Sequence, residues 1–362
     1  MTTFYKSSES ATPEGTAQYA KRLERVTASG HFRQHLGLQV SSIGLGTAGG
    51  DCDDRTDDLY RQSIMRAFAL GVNVFDSAIN YRYQRSERAI GAALRELIKS
   101  GQARRDEVLV ATKGGCFGFD EDLRKDARIW ITENVLECGL AAADEIVNGD
   151  NCISPRFIED QLSHSLNNLD LECVDIYYLH NPETQLQAVS RRSFSQRIRA
   201  AFELLERAVI NGQIRAYGTA TWHGYRQTPE ARTYLSLAEM VALAREVAGE
   251  QHHFRVIQLP LSLAKPEAII LSNQMVDGEA MSVLSAAELL DVTVICSASI
   301  QQGLLAKYLP PDVRELFSGL STDAQRAIQF ARSTPGVTTA LIGMSNPVHV
   351  DENLKVASVS PG

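Results

Sequence analysis

The stretch GLGTAGG, residues 44–50, decides between two folds. Gly44, Gly46 and Gly49 have the spacing of a dinucleotide-binding turn, and the apolar-leaning run LQVSSI leads into them. Asp76 closes the next apolar run, VNVFD, close to where a Rossmann βαβ unit carries an acid. In such a unit the helix start after the glycines points its positive end at a pyrophosphate. Here the next residues are DCDDRTDD, so Asp51, Asp53, Asp54, Asp57 and Asp58 would crowd that anion. At a helix start these acids serve as caps and dipole partners; beside a diphosphate they repel it. The glycines therefore read as a loop that approaches a ligand or turns sharply, on a different α/β fold.

The rest of the chain names that fold. Apolar, β-branched runs at roughly 39–45, 72–76, 107–112, 174–180, 214–218, 255–259, 292–297 and 338–342 predict eight strands. Helical stretches lie between most of them. LYRQSIMRAFALG (59–71) carries Ile64, Ala67 and Phe68 on one stripe, and SERAIGAALRELI (86–98) carries Ile90, Leu94 and Leu97. Gly71, Gly212 and Gly336 stand where C-caps are expected. Strands alternating with helices imply parallel strands joined by crossovers, and eight of them predict an α/β fold of the (β/α)8 TIM-barrel type. The barrel is assigned to residues 38–362. An extension, residues 1–37, precedes it; Thr12-Pro13-Glu14 predicts a helix start there. A long insertion at about 116–153 follows the third strand, with Trp130, Ile131, Val135 and Leu136 giving its middle an apolar face.

Composition narrows the function. The 362 residues are 44% hydrophobic and 22% charged, as in ordinary globular proteins. A net charge of −8 without a basic run argues against nucleic acid or an anionic membrane surface as partner. No segment approaches the ~20 apolar residues of a membrane span. The N-terminus is polar, and the six cysteines include no CxxC pair. A cytoplasmic protein with reduced thiols and no zinc or other metal is expected.

Barrel enzymes carry their chemistry on the loops after the strands. Thr47 follows the first strand, and Asp76 ends the second, five residues before Tyr81. Lys113 follows four apolar residues on the third, His180 ends the fourth, and Gln258 lies on the sixth. Together, Asp76, Tyr81, Lys113 and His180 would meet at one mouth. A free tyrosine has a pKa near 10, and a lysine cation beside it favours the phenolate. Asp76 would keep that lysine charged, and His180 would hold an incoming oxygen. Such a group moves a proton to or from an oxygen; a redox reaction would need a separate hydride carrier.

From about Leu36 to Leu354 the sequence resembles the aldo-keto reductases. GVNVFDSAINYRYQRSERAIGAAL is similar to their second-strand block, ATKGG to their lysine strand and VDIYYLHNP to their histidine strand. GQIRAYGTAT, VIQLPLSL, VTVICSASIQQGLL and TTALIGMSNPVHVDENL follow in the family's order. The resemblance implies Tyr81 as general acid, Asp76 and Lys113 as its tuning pair and His180 as the carbonyl-orienting partner. It also implies a nicotinamide cofactor. Gly46, Thr47, Asp76 and Gln258 would meet its nicotinamide end, its pyrophosphate would lie near the loop after the seventh strand, and Ser297, Ser299 and Gly303 would also bind the cofactor. Gly343, Ser345, His349, Glu352 and Asn353 would meet its adenosine. Three departures stand out: Ala220-Thr221 replaces a usual Ser-Asn, Ser297 a usual stacking aromatic, and no basic residue for a 2′-phosphate precedes Lys355. Trp222 is a candidate substitute for the aromatic. Arg82 and Gln84 occupy positions where glycines are frequent, and Arg82, Arg85 and Arg88 read as solvated charges or as contacts to an acidic substrate.

The expected function is an NAD(P)(H)-dependent oxidoreductase that interconverts a small aldehyde or ketone and its alcohol. NADP is the implied cofactor, with NAD open. Substrate identity and protein partners stay open. The rival reading is a cofactor-binding sensor or regulatory barrel without significant turnover; a third is an enzyme that uses the cofactor internally.

Overall fold

The chain enters through α1 (Pro13–Leu23), where the side chain of Thr12 accepts the N–H of Gly15 and Pro13 fills the first helical position, as predicted. This computed structural model describes residues 10–120, 127–317 and 319–361. After α1 comes a hairpin, β1 (Phe32–His35) and β2 (Leu38–Ser41). Its turn residues Leu36 and Gly37 are both left-handed, with φ of 49° and 77°. Two such residues give the turn whose twist matches the flanking strands. The run read as one strand over 39–45 is thus two: β2 belongs to the hairpin, and the barrel begins with β3 (Ile43–Gly46). Ser41 and Ser42 make the break, with the Ser41 hydroxyl donating to the carbonyl of Ile43.

The barrel continues through α2 (Asp54–Ala69), β4 (Val74–Asp76), α3 (Arg85–Lys99) and β5 (Leu109–Gly114). After the excursion, which contains α4 (Ala127–Ile131), come α5 (Pro155–Leu169), β6 (Val174–His180), α6 (Arg191–Ile210) and β7 (Ile214–Ala220). Next are α7 (Leu237–Ala248), β8 (Phe254–Pro260), α8 (Glu267–Ile270) and a small hairpin, β9 (Gln274–Val276) and β10 (Glu279–Met281). The chain ends with α9 (Val283–Leu289), β11 (Thr293–Ser297), α10 (Pro311–Leu316), α11 (Asp323–Ser333), β12 (Val337–Gly343) and α12 (Pro347–Asn353). The eight parallel strands close in the order β3–β4–β5–β6–β7–β8–β11–β12, with β12 back beside β3. This is the expected (β/α)8 barrel. Gly71 and Gly212 take positive φ directly after the caps of α2 and α6; Gly336 also has positive φ but stands two residues beyond the extended cap Thr334 of α11, so it does not end that helix.

Strand alternation divides the core. Val74, Leu109, Ala111, Ile176, Tyr178, Val256, Ile295 and Leu341 pack together in the barrel interior. Their sequence neighbours, such as Phe75, Val110, Tyr177 and Ile257, pack outward under the helices. Because side chains alternate, Lys113 shares the inward face of Ala111, and His180 that of Tyr178.

The N-terminal segment and the closing seam meet at the floor. The N–H of Ala11 donates to Asp175, which also takes Arg105 at 2.8 Å. Arg33 donates to the carbonyls of Val337 and Arg332, and Arg332 in turn donates to Ser42. Thr339 donates to the carbonyl of Ser41, 298 positions away in sequence.

The excursion builds its own small core. Phe117, Ile131, Val135 and Cys152 are buried against Phe157 of α5, with Trp130 and Leu136 packed alongside. Residues 121–126 of the predicted insertion and 1–9 of the predicted extension lie outside the described residues. Among the described residues no helix is long and apolar enough to cross a membrane.

Candidate active site

The stretch 44–50 does not form a pyrophosphate turn. Gly44 is a packing glycine: a Cβ there would meet Leu341 Cδ2 at 2.7 Å. The acidic run after it starts α2, where Asp53 accepts the N–H of Thr56 as N-cap and Asp54 and Asp57 lie in the first turn. Two cations answer these acids. Arg82 pairs with Asp57 at 2.6 Å, and Arg85 pairs with Asp54 and Asp57.

Asp76, Lys113, Tyr81 and His180 converge at the C-terminal mouth of the barrel. Lys113 Nζ lies 2.5 Å from Asp76 Oδ1 and 2.6 Å from the carbonyl of Ser77. The other carboxylate oxygen of Asp76 accepts from Gln258 Nε2 at 2.8 Å. Asp76 and Lys113 are buried. Lys113 Nζ stands 4.9 Å from the centre of the Tyr81 ring, and that ring meets His180 edge-to-face at 5.8 Å. Tyr81 as a whole is half-buried.

Burial alone would lower the Lys113 pKa, yet Asp76 and Tyr81 together raise it above the usual lysine value. The ammonium is therefore firmly charged. For Tyr81, burial pushes the phenol up; Lys113 pulls it down through charge and hydrogen bonding, while Asp76 adds to the rise. The net direction is upward, so the lysine limits a rise that desolvation would otherwise make larger. The sequence alone suggested a lowered phenol, because it contained no measure of burial. Burial, aided by Lys113, pushes His180 down to about 3, so its imidazole is neutral at neutral pH.

The residues read as cofactor-binding occupy two neighbouring regions. In the barrel register Gly343 faces Gly46, which in turn faces Asp76. Thr47 is buried and occupied within the protein: its hydroxyl donates to the carbonyl of Asp76, and its own carbonyl accepts from Ser86. Gln258 likewise spends an N–H on Asp76. Both brace Asp76 directly, a task their sequence positions alone did not suggest. Farther round, Ser297 is half-buried at the end of β11, Ser299 is buried, and Gly303 lies in a turn with φ of 88°. Beyond β12, Ser345 and Glu352 are half-buried, His349 is exposed and Asn353 is buried. Strands β8, β11, β12 and β3 are consecutive around the barrel, so this second set adjoins the catalytic arc on β4, β5 and β6.

Other sequence readings change. Arg82 is not solvated; its side chain is 2% exposed and pairs with Asp57. Arg88 pairs with Asp120 at 2.6 Å, and Arg85 is held by α2. Trp222 is 42% exposed, with Lys265 Nζ 5.6 Å from its ring centre. Glu183 Oε1 fastens the loop after β7 by accepting the N–H groups of Trp222, His223 and Gly224. Asn151 was missed altogether: buried in the excursion, it donates to the carbonyl of His180 at 3.0 Å. Nothing in NCISP announced that contact, because it joins residues 29 positions apart.

Comparison with known proteins agrees with this fold. A sequence model described as the Aldo/keto reductase family matches residues 42–315, and the chain belongs to that family. It is 27% identical over 187 residues to deoxymugineic acid synthase 1 of Hordeum vulgare, covering 50% of this chain and 47% of that one. It is 28% identical over 208 residues to the NADH-specific methylglyoxal reductase of Escherichia coli (strain K12), covering 56% and 54%. The chain thus spans about half the length of the curated relatives it matches. Among solved structures, the glycerol dehydrogenase AKR11B4 from Gluconobacter oxydans superposes with a TM-score of 0.62 at 21% identity, covering 91% and 90% of the two chains. An aldo/keto reductase from Klebsiella pneumoniae in complex with NADP and acetate gives 0.61 at 18% identity, covering 92% and 91%. At these identities the shared property is the fold.

Proposed function

We propose that this protein interconverts a carbonyl compound, an aldehyde or ketone, and the corresponding alcohol by hydride transfer with a nicotinamide cofactor, Tyr81 serving as the proton donor and acceptor. The observation that carries this reading is the convergence of Tyr81, Lys113, Asp76 and His180 at one barrel mouth. Family membership supports it. NADP(H) is the proposed cofactor, in line with the Klebsiella pneumoniae structure, and the NADH-specific relative keeps NAD(H) open.

The residues present fit such a cofactor. The neighbouring strand ends at Gly46 and Gly343 carry no side chains, and a Cβ at Gly343 would meet nothing within 4 Å. His180 Nδ1 and Thr221 Oγ1 are buried without a partner in the protein. Buried polar atoms are normally satisfied, so such atoms at a site mouth suit a ligand that completes them. When bound, the cofactor supplies the hydride to the carbonyl carbon, or receives it in the reverse direction.

The chain's own residues handle the oxygen and its proton. Tyr81 is protonated at neutral pH and gives its proton to the carbonyl oxygen. Lys113 faces the phenolate that remains and stabilises it. Asp76 holds the ammonium in place, and Gln258 in turn holds Asp76. The neutral imidazole of His180 offers an N–H to the same oxygen and orients the carbonyl. In the oxidative direction the Tyr81 phenolate takes the alcohol proton. Tyr81→Phe tests the assignment: turnover should fall by about 100-fold or more, while the cofactor affinity, read by fluorescence titration with NADPH and NADH, stays close to wild type. Undiminished turnover would remove Tyr81 from the mechanism.

A further inference from the structure

Immediately after Tyr81 the backbone does something a run of side-chain-bearing residues rarely does. Arg82, Tyr83 and Gln84 are all left-handed, with φ of 50°, 54° and 67°. Gln84 is also the N-cap of α3, a position normally extended. In L-residues the left-handed region brings Cβ against the backbone, and such a conformation survives only where the surroundings over-determine it. Two side chains provide that surrounding. Arg82 Nε donates to the carbonyl of Asp51 at 2.8 Å, its guanidinium pairs with Asp57, and it lies over the Tyr60 ring at 5.1 Å. Tyr60 in turn donates to the carbonyl of Gly49. On the other side, Gln84 Nε2 donates to the carbonyl of Gly118 at 2.9 Å, and Gln84 Oε1 accepts from Asn168 at 3.0 Å.

These anchors connect to the chemistry by short paths. Asn168 also donates to Glu87, and the other Glu87 oxygen accepts from Thr112, the residue before Lys113. Gly118 is pressed against Ile79, two residues before Tyr81: a Cβ there would meet Ile79 Cγ1 at 2.8 Å. The turn is thus tied to the loop after β3, to the excursion, to α5 and to the lysine strand.

We infer that Arg82 and Gln84 are positioning residues for Tyr81: they fasten a left-handed turn to the loops on either side and so fix where the phenol stands relative to Lys113. The inference rests on the role proposed for Tyr81. A glycine at either position would adopt the same backbone without the steric cost, so it is the side-chain anchors that offset the strain here. Two of the anchors, the carbonyls of Asp51 and Gly118, lie on loops, and the other two, Asp57 and Asn168, lie on α2 and α5.

Glycine substitution separates anchoring from strain. Gln84→Gly keeps the backbone conformation and removes both bonds; Arg82→Gly does the same on the other side. Each variant should unfold at a temperature close to wild type, yet lose about 10- to 100-fold in kcat. Cofactor affinity, by nicotinamide fluorescence, should change less than about twofold. Arg82→Lys keeps a charge opposite Asp57 but lacks the fork that also reaches Asp51, and should fall in between. A second readout needs no turnover: in protein with carbon-labelled tyrosine, the Tyr81 resonance, assigned by its loss in Tyr81→Phe, should titrate at higher pH in both glycine variants as the phenol leaves Lys113. Unchanged kcat together with an unchanged Tyr81 titration in Gln84→Gly overturns the inference. Full turnover by Tyr81→Phe would instead defeat the reaction role, and the titration would still report on the turn.

Discussion

Lys113 Nζ and Asp76 Oδ1 meet at 2.5 Å in a place that water does not reach, Lys113 being 0% and Asp76 4% exposed. A buried pair of this kind is costly to break from one side, because the remaining charge is left without compensation. Asp76→Asn should therefore destabilise the protein by about 3–5 kcal/mol, measured by urea unfolding. Asp76→Asn combined with Lys113→Met removes both charges and should recover much of that stability while remaining inactive. Recovery of turnover in the double variant would contradict the electrostatic role given to the lysine.

The upward shift of Tyr81 has opposite consequences in the two directions of the reaction. Reduction needs the protonated phenol, so its kcat should be flat through neutrality and fall only above about pH 10, the ordinary tyrosine value. Oxidation needs the phenolate and should rise over that same alkaline range. His180, held at about 3, should contribute no limb near neutrality. A reductive profile that turns over between pH 6 and pH 8, at about the ordinary histidine value, would show that a different group supplies the proton.

Two floor histidines set an acid limit on stability. Burial pushes both His31 and His35 down to about 4. Unfolded histidine takes its proton near pH 6.5, so between these values the unfolded chain binds more protons than the folded one. The stabilisation is complete above pH 6.5 or so and is lost as the pH falls towards 4, by roughly 3 kcal/mol for each residue. Urea midpoints followed from neutral to acid pH should decline accordingly, and His31→Gln should flatten the decline. A midpoint independent of pH over that interval would show that neither histidine sets an acid limit.

The glycines of the quoted stretch should separate by environment. Gly44→Ala drives a methyl into Leu341 at 2.7 Å, Thr339 at 3.0 Å and the carbonyl of Val74 at 3.2 Å. Overpacking of this sort costs about 1–3 kcal/mol. Gly49→Ala meets nothing within 4 Å and should stay within about 0.5 kcal/mol of wild type. Thermal unfolding of the two variants measures the contrast; equal losses would mean that the spacing, not the packing, is what matters.

Most of the barrel was legible because its strands are apolar runs and its helices carry one apolar stripe. Val174–His180 and Phe254–Pro260 needed no tertiary information. The β1–β2 hairpin was hidden because a Leu precedes Gly37 where Asn or Asp would have announced the turn, and because LQVSSI reads as continuous through Ser41 and Ser42. The β9–β10 hairpin is too short to give a pattern. For the site, Asp76, Tyr81, Lys113 and His180 were visible as polar residues at or just after strand ends. What they are braced by was not: Asn151, Gln258 and Arg82 act through contacts spanning 29, 182 and 25 positions, and no local rule encodes such pairings. The left-handed turn after Tyr81 left no local trace, because glycine, the residue that would announce such a turn, is absent at 82 and 84.

The seam between β3 and β12 has a consequence for how the protein is made. β12 must be made before it can cover β3, and their flanking contacts span 298 positions. Until then the nascent polypeptide presents an open strand edge, the kind of surface on which chains aggregate. Long-range closure of this type is also slow. The arginines that stitch the floor, Arg33 and Arg332, can therefore act only once this seam has closed.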